Sequence, residues 1–512
     1  MGKNKKNLYK TRVKEDGQKG YLVFDIGTGN ARVAIVGVSG KVHRIEREDI
    51  EYITEPLYPD SRYFSPQVLW EQVSGLAKRA LAHSKAIDII GITSTSQRQG
   101  IVLIDKKGTS FLGLPNIDNR GREWEEEIEL KEEIELKEEV YRRTGRLPTA
   151  LFSALKLYGL KQRQPSLWKQ VSQFTSISDW ITYKLTGILT YEPSQATETL
   201  LFDVNQNIWS EELCGIFGFS PSILPRLVRA GTAIGEVDAQ LANEWGISGS
   251  VRVIAGGGDT QLAVKSTDAV AEDIVIVSGT TTPIIKIIQD IQEDGQKQAW
   301  LNCHTDKGQW LVETNPGITG LNYQKLKTIF YPNEGYDVIE KEISLLSQED
   351  RVCVSALGSY LSTEKNALTK GGFIFDAPLS SQLSRAHFVR AALKEIAYSI
   401  KWNYDILTEV SATSRDYVWA CGGGFQSDAL TQYIANLLQK KVYVKEGFSQ
   451  ASVVRAAVIC NQALGIKDSF SNMVKVIEPT DFQEETDLYE EWKKTQRFFS
   501  DFFISSEKGV LV

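Results

Sequence analysis

Cysteine is scarce. Only five of the 512 residues are Cys (Cys214, Cys303, Cys353, Cys421, Cys460), far apart and never in a CxxC pair. Neither a zinc site nor a disulfide framework is indicated, and five small buried hydrophobes in a reducing cytoplasm are expected. Long apolar runs are missing too. None approaches the ~20 residues that span a bilayer, so no membrane partner is expected. Positive charge is not in excess: 58 Lys and Arg against 65 Asp and Glu leave a net charge of −7. That balance argues against a nucleic-acid partner. Two phosphate-binding signatures are also absent. No Gly-x-x-x-x-Gly-Lys-[Ser/Thr] occurs, which removes the P-loop, and Arg32 stands where a dinucleotide fingerprint starting at Gly27 needs its third glycine. Residues 1–20 are basic and polar. They lack the apolar stretch of a secretory signal, and Lys6 breaks the myristoylation pattern, so a disordered, solvated extension is expected.

What is present fits two domains of roughly 200–250 residues, each able to bury its own core. The apolar run Tyr21-Leu-Val-Phe-Asp25 leads into Ile26-Gly-Thr-Gly-Asn30 and a second apolar run over residues 31–38, which reads as a hairpin. The pattern recurs downstream: Ile274-Val-Ile-Val-Ser278, then Gly279-Thr-Thr-Thr282, then Pro283-Ile-Ile-Lys-Ile287. One Gly/Thr hairpin in each half implies a duplicated architecture with a cleft between the halves. Two strand–glycine–helix junctions follow, Gly256-Gly-Gly-Asp259 and Gly422-Gly-Gly424. Glycine there is expected to form flexible turns that let a ligand approach the backbone at a helix start. Between residues 123 and 140 the chain is nearly all Glu, Lys, Leu and Ile. Glu-Ile-Glu-Leu-Lys-Glu stands at 127–132 and again at 133–138. This reads as a solvated, dispensable helix lengthened by duplication.

Three clusters carry candidate chemistry. Asp25, where a strand meets a glycine turn, suits an acid holding Mg²⁺ through water, with Thr28 and Asn30 offering donors to phosphates. The alternative is a hairpin turn in which Asp and Asn only favour the bend. Asp259, after three glycines at a helix start, suits a general base whose charge the helix dipole would preserve. The alternative is a first-turn or capping Asp. Gln97-Arg98-Gln99, with Asn116, Asp118 and Arg120 downstream, offers amides, a carboxylate and guanidinium groups that suit the hydroxyls of a polyol. Two polar loops beside a strand would look the same.

Taken in order, these motifs resemble the FGGY family of carbohydrate kinases. The likeness runs from about residue 21 to 465 and includes Asp25-Ile-Gly-Thr-Gly-Asn-Ala-Arg32, the Gln97 segment and the Asp118–Arg120 element. It continues through Asp179-Trp-Ile-Thr-Tyr-Lys-Leu-Thr-Gly187, Gly256-Gly-Gly-Asp259, Ser278-Gly-Thr280, Gly422-Gly-Gly424 and an Ala-rich stretch over residues 452–465. The resemblance implies an α/β fold of two actin-like (ribonuclease H-like) domains, each a mixed β-sheet flanked by helices, at residues 21–265 and 266–512. It implies ATP-dependent phosphorylation of a sugar, ketose or polyol hydroxyl, with Asp259 as base and Asp25 as the Mg²⁺-linked acid. Thr28, Gly29, Asn30, Arg32, Gly279, Thr280, Gly423, Gly424 and Ser427 would form the nucleotide side. Gln97, Arg98, Gln99, Asp118 and Asp259 would form the acceptor side. Within the family, Gln99-Gly-Ile-Val-Leu103, Tyr141-Arg-Arg-Thr-Gly145, Ile177-Ser-Asp-Trp-Ile181 and Gly256-Gly-Gly-Asp-Thr-Gln261 look like autoinducer-2 kinases, with pentulose kinases next. Two departures bear on substrate: Gln99 where that subgroup tends to carry Glu, and Asn116 where pentulose kinases tend to carry Trp. Rival readings in the same fold are an actin-like or chaperone-like ATPase and a catalytically inactive sugar sensor. The oligomeric state stays open, a homodimer included.

Overall fold

The computed structural model describes residues 18–130, 134–247, 249–292, 294–347, 352–358, 370–445, 451–467, 473–480 and 483–507. The largest sheet of the first half has six strands among the described residues: β1 (Gln18–Ile26), β2 (Asn30–Gly37), β3 (Val42–Asp49), β4 (Ile87–Ser96), β5 (Ala233–Glu236) and β6 (Arg252–Gly258). Their order is β5-β6-β4-β1-β2-β3. The largest sheet of the second half is made of β7 (Ile274–Ser278), β8 (Ile284–Ile288), β9 (Trp300–Cys303), β10 (Trp310–Thr314), β11 (Tyr417–Gly422), β12 (Lys441–Lys445) and β13 (Val474–Ile477). Their order is β9-β10-β8-β7-β11-β12-β13. In each sheet the first strand pairs antiparallel with its hairpin partner and parallel with a later strand. A second parallel strand and an antiparallel edge strand extend that side. The duplication expected from the two hairpins is therefore present strand for strand, with β9 as an addition.

Helices that matter below are α1 (Pro66–Ala82), α2 (Glu125–Leu130), α3 (Ile134–Thr144), α4 (Ile177–Thr186), α5 (Asp259–Lys265), α6 (Arg385–Val410), α7 (Asp428–Leu438) and α8 (Ala451–Leu464). The period of two along β1 explains how they sit. Leu22, Phe24 and Ile26 point to one face, where they pack with α1 and α4. Tyr21 and Val23 point to the other, where they meet Val453, Ala456, Ala457 and Cys460 of α8. Tyr21 also donates to Asn461 at 2.5 Å, across 440 residues of sequence. On β7, Ile274 and Ile276 face α6 and α7, while Val275 and Val277 face Ala263 and Val264 of α5. Each half thus covers one face of the other's sheet, so a boundary at 265/266 separates two sheets but not two independent cores. Complete burial of each of these Val, Leu, Ile or Phe side chains contributes roughly 1.5–3 kcal/mol.

Three expectations change. Strand β1 begins at Gln18 rather than Tyr21, and Gln18, Lys19 and Gly20 pair with β4, so these three are not part of an extension; residues 1–17 lie outside the described residues. Gly256, Gly257 and Gly258 do not form a flexible turn; they are buried inside β6. A Cβ at Gly256 would collide with the Ser94 carbonyl oxygen of the adjacent strand, so the glycine serves close sheet packing. The Glu-rich segment is not a wholly solvated helix. Residues 131–133 lie outside the described residues, but Ile128 of α2 and Val140 of α3 are buried in a core with Leu155, Leu157 and Tyr158. The far end of α3 also reaches the second half, where Tyr141 donates to Asp294 at 3.1 Å and to the Ala299 carbonyl at 2.8 Å. Charge composition identified the exposed face and hid the apolar one.

Candidate active site

In open sheets of this kind ligands usually bind beyond the C-terminal ends of the parallel strands, and the candidate residues of the first half stand there. Strand register builds the first wall. Asp25 at the end of β1 lies opposite Thr95 of β4, and Gly257 of β6 lies opposite the same Thr95 from the other side. One residue beyond Gly258, Asp259 opens α5 as its first helical residue, with Gly258 as the cap. The two carboxylates are thereby brought into electrostatic range of each other.

Their environments differ. Asp25 is 5% exposed, and its nearest cation is Arg32 at 4.0 Å, whose Nε donates to Asn30 Oδ1. Asp259 is half-buried and accepts from its neighbour's backbone, Thr260 N at 2.7 Å, and from Thr260 Oγ1 at 3.2 Å. Burial pushes its carboxyl above the ordinary carboxylate range, against the pull of Arg98 and with added repulsion from Asp25. The dipole of so short a helix does not keep it low, as the sequence suggested; desolvation outweighs it. A raised pKa makes it a stronger base once ionised.

The hairpin of residues 27–30 is held from below. Tyr52 donates to the Thr28 carbonyl at 2.7 Å and receives Gln97 Nε2 at 3.2 Å, and burial lifts its phenol to about 12. Gln97 also donates to the Gly27 carbonyl at 3.2 Å and accepts from Asn116 N at 2.9 Å, while Asn116 Nδ2 donates to Thr28 Oγ1 at 2.9 Å. Gln97, expected on the acceptor side, thereby ties the segment around Asn116 to the turn of residues 27–30. Asp118, expected on the acceptor side, is fully buried and accepts from Arg62 N at 2.7 Å and Arg120 Nε at 2.8 Å. Those bonds join the segments around Arg62 and Arg120.

Arg98 and Gln99 form the centre of a buried polar group. The Arg98 guanidinium is bidentate to Glu313 of β10 at 2.6 and 2.7 Å, and reaches Glu198 at 3.3 Å. Burial alone would lower the Arg98 pKa, but the two carboxylates carry it well above the ordinary value, so it stays a cation. Gln99, in the left-handed region at φ 60°, donates to Glu198 at 2.5 Å, and fully buried Arg146 joins the same carboxylate at 2.9 Å. Sequence reasoning missed Tyr52, Arg146, Glu198 and Glu313. Tyr52, Glu198 and Glu313 sit in no glycine-flanked motif, and for Arg146 the only signal was the preceding Tyr141-Arg-Arg-Thr-Gly145 stretch.

The second half carries the matching hairpin. Gly279 and Thr280 are exposed, and the Thr280 carbonyl accepts from Thr319 N at 3.1 Å. Ser278 pairs with Gly422, whose φ of 104° and close approach to the Ser278 carbonyl demand glycine. Gly423 is exposed with open space beside it. Ser427 caps α7, accepting from Leu430 N at 3.1 Å. The structure thus brings two unequal carboxylates and the buried Arg98 group together, joins that group to β10 of the second half through Glu313, and packs α5 against β7.

Comparison with known proteins agrees with that arrangement. Residues 20–265 match the N-terminal domain of the FGGY family of carbohydrate kinases, and residues 347–464 match its C-terminal domain. A Bacillus subtilis (strain 168) protein, YoaC, provisionally named a sugar kinase, is 73% identical over 495 residues, covering 97% of this chain and 99% of its own. This chain belongs to the FGGY family of carbohydrate kinases. An autoinducer-2 kinase of Photorhabdus laumondii is 25% identical over 463 residues, or 88% of this chain and 87% of that one. Among solved structures, a xylulose kinase from Lactobacillus acidophilus superposes with a TM-score of 0.80 at 18% identity, covering 95% of this chain and 99% of that one, which speaks to the fold. An assembly-forming ATPase and a sugar sensor are not favoured by these matches. Among the described residues, no helix of this FGGY kinase is long and apolar enough to cross a membrane.

Proposed function

We propose that the chain transfers the γ-phosphoryl group of ATP to a hydroxyl of a small sugar, ketose or polyol, with Asp259 taking the proton from that hydroxyl. The observation that carries this reading is the pair of carboxylates at one strand edge: Asp25 beside the first phosphate-type turn, and Asp259 beside the Arg98 pocket with its affinity for protons raised. Thr28, Gly29 and Asn30 present hydroxyl, amide and backbone donors from one side, and Gly279 and Thr280 do so from the other. Gly423 and Gly424 border the space for the base. Asp25 suits Mg²⁺ held through water: it is one carboxylate, and among the described residues no group of three acidic, His or Cys side chains forms a direct cage. Bound Mg²⁺ would offset charge on the phosphates. The chain's own contribution is alignment of the two reactants and a positioned proton acceptor.

The test is acceptor-dependent ADP release, measured across xylulose and other pentuloses, tetritols, glycerol, gluconate and the autoinducer-2 precursor. ATP turnover that no acceptor stimulates would overturn the kinase reading. The last candidate is included because of the autoinducer-2 kinase relatives. Gln99 in place of a carboxylate removes a strong hydroxyl acceptor from that position, which favours a different acceptor.

A further inference from the structure

Two guanidinium groups close together in the sequence, Arg98 and Arg120, could clamp an anionic sugar. The structure shows both already spoken for. Arg98 makes two bonds to Glu313 and one to Glu198. Glu313 is itself held by Asn302 Nδ2 and Asn315 Nδ2, each at 3.2 Å, and is 1% exposed. Glu198, fully buried, also binds Arg146 and Gln99. Two cations and two carboxylates therefore cancel within the group. Arg120 is matched by Asp118 at 2.8 Å, with both groups buried. The third nearby cation, fully buried Lys156, donates to the carbonyls of Asn116, Asp118 and Ala150. What stands beside this neutralised group is negative: Asp259, with Asp25 beyond it and Arg32 at 4.0 Å from Asp25.

We propose that Glu313, seconded by Glu198, sets the charge selectivity of the acceptor site, neutralising Arg98 so that an uncharged polyol or ketose is taken and a sugar acid or phosphorylated sugar is refused. This rests on the acceptor-site reading above. An anionic substituent has two options. It can displace Glu313 from Arg98 and leave a buried carboxylate without its cation, or it can sit near Asp259 with like charge; both are unfavourable. A hydroxyl meets neither obstacle, because it donates to a carboxylate oxygen and accepts from the guanidinium N–H groups that remain. Glu313 is a positioning residue in this account: it acts through Arg98.

The experiment compares matched pairs, ribitol with ribonate and glucitol with gluconate, on the full chain. Turnover is read as kcat/KM and binding by calorimetry, so that selectivity is measured even for an acceptor that does not react. The wild type is expected to disfavour the acid of each pair by roughly 10–100-fold, the size of an unfavourable charge contact. Glu313→Gln keeps the shape, frees Arg98, and should move the acid-to-alcohol ratio at least about tenfold toward the acid. Folding of the variant is checked by its thermal midpoint and by binding of a non-hydrolysable ATP analogue. Should it not fold, Glu198→Gln is the second variant, with a shift in the same direction expected. A wild type that prefers the acid overturns the proposal, and so does a folded Glu313→Gln with an unchanged ratio. Absence of acceptor-stimulated turnover with every compound would instead count against the kinase reading, and the calorimetric ratio would still decide the charge question.

Discussion

Asp259→Asn isolates the proton acceptor with little other disturbance. Asn Oδ1 can keep both bonds from Thr260, and Arg98 stays paired with Glu313, so the pocket and the start of α5 should hold their shape. What is lost is the ability to take a proton. General-base assistance is typically worth 10²–10⁴-fold, or about 2.7–5.5 kcal/mol of barrier, and the fall in kcat should lie in that range. Stability should move the other way. Burial raises the Asp259 pKa in the fold, so the ionised form disfavours folding at any pH above the unfolded-state value of about 3.9. Below that value the carboxyl is protonated in both states and the penalty vanishes. Asn carries no charge at any pH. The variant's thermal midpoint should therefore equal or exceed that of the wild type at pH 7, and the difference should shrink as pH falls toward 3. In the wild type, the acid limb of kcat/KM should lie above the ordinary Asp range. Stopped-time ADP assays and thermal melts on the two proteins suffice. Near-normal kcat in the variant would refute the assignment, and a midpoint that drops at pH 7 would refute the electrostatic account of the site.

Three further outcomes are expected. Asp25→Asn should weaken use of Mg²⁺-ATP far more than binding of the acceptor, read by titrating Mg²⁺ at fixed ATP and by acceptor calorimetry; equal losses would contradict the metal-linked role. Ile128→Ala removes a side chain that is 2% exposed in the core around Leu155 and Tyr158, and should cost about 2–4 kcal/mol in urea unfolding, where a solvated helix would lose almost nothing. Gly256→Ala places a methyl group against the Ser94 carbonyl, and soluble folded protein should fall sharply in expression trials, whereas Gly423→Ala, with open space at its Cβ, should fold normally and affect mainly the KM for ATP.

The sequence by itself determined the elements that local chemistry writes. The apolar runs of β1 and β7, buried on both faces, the two Gly/Thr turns and the helix start at Asp259 depend on residues a few positions apart, and all were legible. So was the duplication, because each half repeats the same hairpin. Tertiary structure decided what depends on distant partners. Tyr21 meets Asn461 and Arg98 meets Glu313, 440 and 215 residues away. No local period encodes a contact that exists only when the two sheets exchange covering helices. The same packing reversed three local readings. Glycines suited to a flexible turn became the closest contact in a sheet, and an acid expected to be lowered by a helix dipole was raised by burial. A charged repeat kept one apolar stripe for the core. In each case the local preference is worth a fraction of a kcal/mol to about one, and burial among neighbours outweighs it.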